Sequence, residues 1–177
     1  AFQNELTHVA AGRDGSLFAT GHTSSRTLVV HRVRGRWRTM AAPPVPRGFS
    51  SAYLEGLLVR SRTDVWLSGG GQRASDGAEQ PLMAHWDGAR WTVHRLPAIS
   101  QSYVLDAARV AGRLVAVGAT YTDFSSAGLI EQRDGDTWSA SARGEASGFW
   151  AIASRAGRAI VLGAAPSGGA FMEELVP

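Results

Sequence analysis

The stretch Val65-Trp66-Leu67-Ser68-Gly69, followed after a loop by Trp86-Asp87-Gly88-Ala89-Arg90-Trp91, decides the fold, because both parts recur in register along the chain. The apolar run closed by glycine returns as Leu17-Phe18-Ala19-Thr20-Gly21, Leu114-Val115-Ala116-Val117-Gly118 and Ala159-Ile160-Val161-Leu162-Gly163, so the closing glycines stand 48, 49 and 45 residues apart. The glycine turn before tryptophan returns as Arg34-Gly35-Arg36-Trp37 and Asp134-Gly135-Asp136-Thr137-Trp138. Two landmarks repeating together at 45 to 50 residues mark an array of small structural units.

Within each unit short apolar runs alternate with turn residues, and no 3.6-residue period persists long enough for a helix. In the second unit the strands read Leu54 to Val59, Asp64 to Ser68, Pro81 to Trp86 and Arg90 to Leu96, here called A to D. Tight polar segments join A to B: Arg13-Asp14-Gly15-Ser16, Arg62-Thr63, Ala111-Gly112-Arg113 and Ala156-Gly157-Arg158. Such residues tolerate the positive φ of hairpin turns. Successive hairpins give a four-stranded antiparallel meander, which buries both faces only by stacking on its neighbours. The expectation is an all-β propeller of about four four-stranded antiparallel blades in a single domain over 1–177, with blades at 6–48, 49–100, 101–146 and 147–177. Trp37, Trp91 and Trp138 are expected to start the outer strands as buried plates between sheets.

The fourth unit stops near Glu173-Glu174-Leu175-Val176-Pro177, where a tryptophan strand should follow. The ring is therefore either incomplete, closed imperfectly with four blades, or part of a larger one. Its open edge is expected to be covered by a neighbouring chain, by the segment near Phe2 or by further residues.

Composition bounds the rest. All 18 basic residues among the 177 are arginine, the formal net charge is +3, and there is no cysteine. The arginine bias fits a GC-rich bacterial genome; the small charge makes a nucleic-acid partner unnecessary; disulfides and thiolate metal sites are excluded. No apolar run is long enough for a membrane span, and Ala1-Phe2-Gln3-Asn4 does not read as a signal peptide. A secreted or cell-surface setting is expected, with a cytoplasmic one still open.

The pattern of an apolar strand ending in glycine, then Trp86-Asp87-Gly88-Ala89-Arg90-Trp91, resembles kelch-like and related β-propeller repeats of bacterial proteins over nearly the whole chain. The segment Arg133-Asp134-Gly135-Asp136-Thr137-Trp138 is similar to the Asp-box turn of sialidase propellers, with one residue fewer between aspartate and glycine.

In such a meander the A-to-B and C-to-D turns share one end, and the longer B-to-C and D-to-A loops share the other. The B-to-C loops read His22 to Arg26, Gly70 to Gln80, Ala119 to Gly128 and Ala164 to Gly169. Rigid scaffolds place function on such loops, and the opposite end offers only short turns. The candidate ligand-binding residues are therefore His22, Arg73, Asp76, Tyr121, Asp123 and Trp150, with Arg26, Phe49, Tyr53, Tyr103 and Phe149 nearby or packed beneath. A basic patch, Arg32, Arg34, Arg36 and Arg38, is the alternative surface, with Arg32 and Arg34, and Arg36 and Arg38, sharing faces. The five histidines show no zinc-ligand spacing, so no metal and no cofactor are implied. The sequence reads as a binding or interaction module for a protein or glycan. The rivals are a lectin and a carbohydrate-active enzyme, a glycosidase or lyase, at the channel mouth. No catalytic residue can be named, because no nucleophile elbow, P-loop or dinucleotide fingerprint is present.

Overall fold

The structure is a computed structural model and describes residues 4–23 and 26–175. It is all-β, with four antiparallel sheets arranged as propeller blades. The first blade is β1 (Glu5–Ala11), β2 (Leu17–His22), β3 (Thr27–Val33) and β4 (Arg36–Thr39). The second is β5 (Phe49–Ser61), β6 (Asp64–Arg73), β7 (Glu79–Trp86) and β8 (Trp91–Arg95). The third is β9 (Gln101–Val110), β10 (Arg113–Tyr121), β11 (Ser126–Asp134) and β12 (Thr137–Arg143). The fourth has three described strands, β13 (Gly148–Arg155), β14 (Arg158–Ala164) and β15 (Ala170–Leu175), paired in that order. The expected four-stranded blade is thus described here by three strands. Phe2, named as a possible cover for its open edge, lies outside the described residues.

The repeat glycines are explained by backbone contact. A Cβ on Gly21, Gly69, Gly118 or Gly163 would lie 1.9 to 2.0 Å from the carbonyl oxygen of Glu5, Tyr53, Tyr103 or Gly148 on the adjacent inner strand. At this point each inner strand carries a β-bulge, the residue skipped by the ladder being Thr7, Glu55, Leu105 or Trp150. The bulge presses the inner strand onto the second one, and only glycine leaves room.

Blades stack consecutively, β5 against the first blade, β9 against the second and β13 against the third. Three apolar cores fill these junctions. Hydroxyls on the second strands bond to the inner strand of the next blade, Thr20 Oγ1 donating to Glu55 O at 2.5 Å and Ser68 Oγ to Leu105 O at 3.0 Å. In the next junction Asp106 Oδ2 accepts from Ile152 N at 2.9 Å.

Trp37, Trp91 and Trp138 do start the outer strands, each paired with the end of the third strand. Their burial differs from the expectation. Trp91 and Trp138 pack on the cores towards the preceding blade, whereas Trp37 is 49% exposed because no described blade packs on its face. The same logic runs at the other end. Ile160 and Leu162 are 45% and 48% exposed, while their repeat equivalents Trp66 and Ser68, and Val115 and Val117, are buried. Both ends of the arc therefore present faces that in the middle blades are core.

Strands β5 and β6 run longer than the sequence predicted, through Gly69-Gly70-Gly71, because those glycines keep ladder pairing with Leu54, Tyr53 and Ala52. The second blade's B-to-C loop shortens accordingly, which moves Arg73 to a strand end, and in the third blade Tyr121 ends β10, paired with Gln101 and Ser126.

Candidate functional site

All three tyrosines of the chain gather at the loop-bearing end, where the second blade meets the third. Tyr53 on β5 lies over Gly70, since a Cβ there would come 2.8 Å from its hydroxyl, and Tyr103 on β9 closes on the same glycine from the next blade. The Tyr103 and Tyr121 rings stand 6.1 Å apart, tilted by 57°. Tyr121 donates its hydroxyl to Glu79 Oε2 at the start of β7.

Electrostatics fix the protonation states. Burial first, then the hydrogen bond to Glu79, pushes the Tyr121 hydroxyl up to about 12. Burial likewise raises Tyr103, with the Glu79 charge adding to it. Glu79 itself is raised by burial, against the opposing pull of its bond from Tyr121. At neutral pH both tyrosines are donors, not bases.

Glu79 lines a cavity of about 310 Å³ together with Arg73, Gln80, Ser100 and Gln101. Gln101 pairs in register with Tyr121, which ties the cavity to the tyrosine cluster. Arg73 also makes a two-toothed ion pair with Asp76, at 3.2 and 2.8 Å, and Asp76 accepts from Ala78 N at 3.1 Å. Asp76 thus builds its own loop and orients Arg73.

The other sequence candidates stand apart from this cluster. His22 Nδ1 is 3.0 Å from Glu55 Oε1 and its Nε2 is 4.0 Å from Glu5 Oε2, at the junction of the first and second blades. Asp123 sits exposed in the loop between β10 and β11. Trp150 is the bulge residue of β13, with its side chain mostly in solvent. In the basic patch Arg32, Arg34, Arg36 and Arg38 are all exposed. The pairing by faces is not kept there: Arg34 occupies the turn at φ 49°, outside β3, so it shares no strand face with Arg32.

Sequence reasoning missed Glu79, Ser100 and Gln101. Glu79, inside the Gly70 to Gln80 segment taken as a loop, starts β7, and Gln101 starts β9. Among the described residues no group of three histidines, aspartates or glutamates is placed to hold a metal, and no helix is long and apolar enough to cross a membrane.

No family model and no curated protein matches the chain. Among solved structures it is similar to that of YjhT, with a TM-score of 0.58, 11% identity, and 94% of this chain covered. The chain spans 64% of the length of that structure. The likeness at this identity is one of fold.

Proposed function

We propose that this chain is a propeller binding module that takes a protein or glycan ligand at its loop-bearing end, with a glycan as the better fit. The observation that carries the reading is the gathering of Tyr53, Tyr103 and Tyr121 beside the cavity of Arg73, Glu79, Gln80 and Gln101. Tyrosine faces stack on the apolar side of a sugar ring, and the amide, carboxylate and guanidinium groups meet its hydroxyls. His22, Asp76, Asp123 and Trp150 flank this end and extend the surface for a longer ligand. The proposal includes kelch-like kinship, on the strand glycines and the Trp86 to Trp91 turn, and a secreted or cell-surface bacterial setting that cell fractionation would test. It also includes association through the uncovered blade faces around Trp37 and around Ile160 and Leu162.

A glycan array and a peptide library probed with the wild type, Tyr121→Phe, Tyr103→Ala and Arg73→Ala provide the test. Tyr121→Phe keeps the ring and removes the donor, so it should weaken binding less than Tyr103→Ala. Binding that survives Tyr103→Ala and Arg73→Ala unchanged refutes this location. The enzyme alternative draws support from the Tyr121 to Glu79 contact; a bound glycan that is cleaved at a rate sensitive to Glu79→Gln would favour it over simple recognition.

A further inference from the structure

The end opposite the loops holds a cavity of about 610 Å³, walled by inner-strand ends and A-to-B turns of all four blades. Each blade contributes one arginine to it: Arg13, Arg60, Arg109 and Arg155. Among the described residues no carboxylate lines it. Arg60 is paired with Asp64 at 2.6 Å. Among the described residues Arg13, Arg109 and Arg155 have no carboxylate within 4.0 Å.

The arrangement is built by the backbone. Arg13 N donates to Arg60 O at 3.0 Å and locks the first turn onto the second blade. Arg109 Nη1 donates to Gly112 O at 2.7 Å, and its Nε is buried without a hydrogen-bond partner. Burial lowers the Arg109 guanidinium's affinity for its proton, and the charge of Arg60 lowers it further against the opposing charge of Asp64. The rim turns of the third and fourth blades place Ala111 and Ala156 at φ 47° and 52°, a left-handed conformation that alanine rarely adopts. Four arginines lining one hollow, with a buried guanidinium nitrogen left without a hydrogen-bond partner, form a site whose own lining supplies no counter-charge.

We propose that this mouth binds a small oligoanion, a phosphate or carboxylate compound of two or three negative charges, held by Arg13, Arg109 and Arg155 with Arg60 as a fourth donor. The charge follows from the three arginines that have no carboxylate within 4.0 Å among the described residues. The size follows from the cavity, which falls in the range of roughly 300 to 1,000 Å³ typical of small-molecule sites. Guanidinium forks match phosphate and carboxylate oxygens two at a time. A nucleic-acid backbone needs a stripe of cations along a surface, and these four line a single hollow. The site is independent of the loop-bearing end.

Titration calorimetry of the full chain with pyrophosphate and with citrate, at about 150 mM ionic strength where exposed charges are strongly screened, tests this. Saturable binding of either anion is expected, pyrophosphate alone indicating a phosphate ligand and citrate alone a polycarboxylate. Affinity should fall at least tenfold in Arg109→Gln and in the double variant Arg13→Gln/Arg155→Gln. The double variant changes two exposed side chains that have no carboxylate partner, so it keeps the test valid if Arg109→Gln fails to fold. The variant Arg36→Gln/Arg38→Gln removes the same net charge from the outer strand and should bind like the wild type. The proposal is overturned if neither anion binds saturably, if the charge-matched control loses as much affinity as the double variant, or if only duplex DNA engages these arginines.

Discussion

Glu131 lies fully buried at the junction of the second and third blades, with neither carboxylate oxygen hydrogen-bonded. It is flanked in the ladder by Ala116 and Ala140, and Leu129, on the same face, belongs to the core with Trp66 and Met83. Burial raises its carboxyl from the ordinary 4.5 to about 8. The folded chain therefore keeps this proton where the unfolded chain has released it. Between pH 4.5 and about 8 the unfolded state binds fewer protons, so stability must fall as pH rises. At about 1.4 kcal/mol per pH unit, the loss is about 3 kcal/mol by pH 7 and about 5 kcal/mol over the whole window. Urea unfolding followed by tryptophan fluorescence at pH 5, 6, 7 and 8 reads this directly. Glu131→Gln keeps the shape without a titrating group, so its excess stability over the wild type should be smallest at pH 5 and grow steadily to pH 8. His31 and His94, both lowered by burial, titrate oppositely, costing stability as pH drops below about 6.5, and they cancel in the comparison. Parallel profiles for wild type and variant would refute the reasoning and mean that water or a cation reaches the carboxylate.

Replacing Trp91 with alanine should cost about 3 to 5 kcal/mol, the range for large aromatic truncations in cores, because it packs on the core between the first two blades. Trp37→Ala should cost under about 1 kcal/mol in denaturant unfolding at low protein concentration, as expected for an exposed position. A Trp37 cost equal to that of Trp91, with a midpoint that rises with concentration, would show that a second molecule covers the first blade's free face; a concentration-independent midpoint would sink the association proposal. Gly118→Ala puts a methyl group 2.0 Å from the Tyr103 carbonyl oxygen, so it should abolish cooperative unfolding of the third blade or shift the midpoint by more than any surface substitution; a change under about 0.5 kcal/mol, the usual surface effect, would contradict the bulge explanation.

Much of the fold was legible because its causes are local and repeated. The glycine that closes each second strand is required by a carbonyl 15 or 16 residues earlier, and the tryptophan after each turn occupies one place in each of the first three blades. Strand ends were less legible. Gly69-Gly70-Gly71 has the composition of a loop, yet the ladder runs through it because flanking strands supply every backbone partner. The exposure of Trp37 was hidden for a different reason: burial depends on the neighbouring blade, and no described blade packs on that face.

The candidate sites were harder to see because their partners lie about one repeat apart. Thr7 meets Glu55 and the Arg62 amide meets Asp14, each across 48 residues, while Trp91 Nε1 reaches the Ala41 carbonyl across 50 and Asp106 accepts from Ile152 N across 46. A search by loop length picks out variable residues and passes over this regularity. The offset itself was the missing signal. Arg13, Arg60, Arg109 and Arg155 follow one another at 47, 49 and 46 residues, nearly the spacing of the repeat glycines. In a stack of blades a residue type recurring at the repeat distance returns to one end of the molecule near the axis. When the repeated residue carries a charge that no neighbour cancels, the fold concentrates that charge in one place.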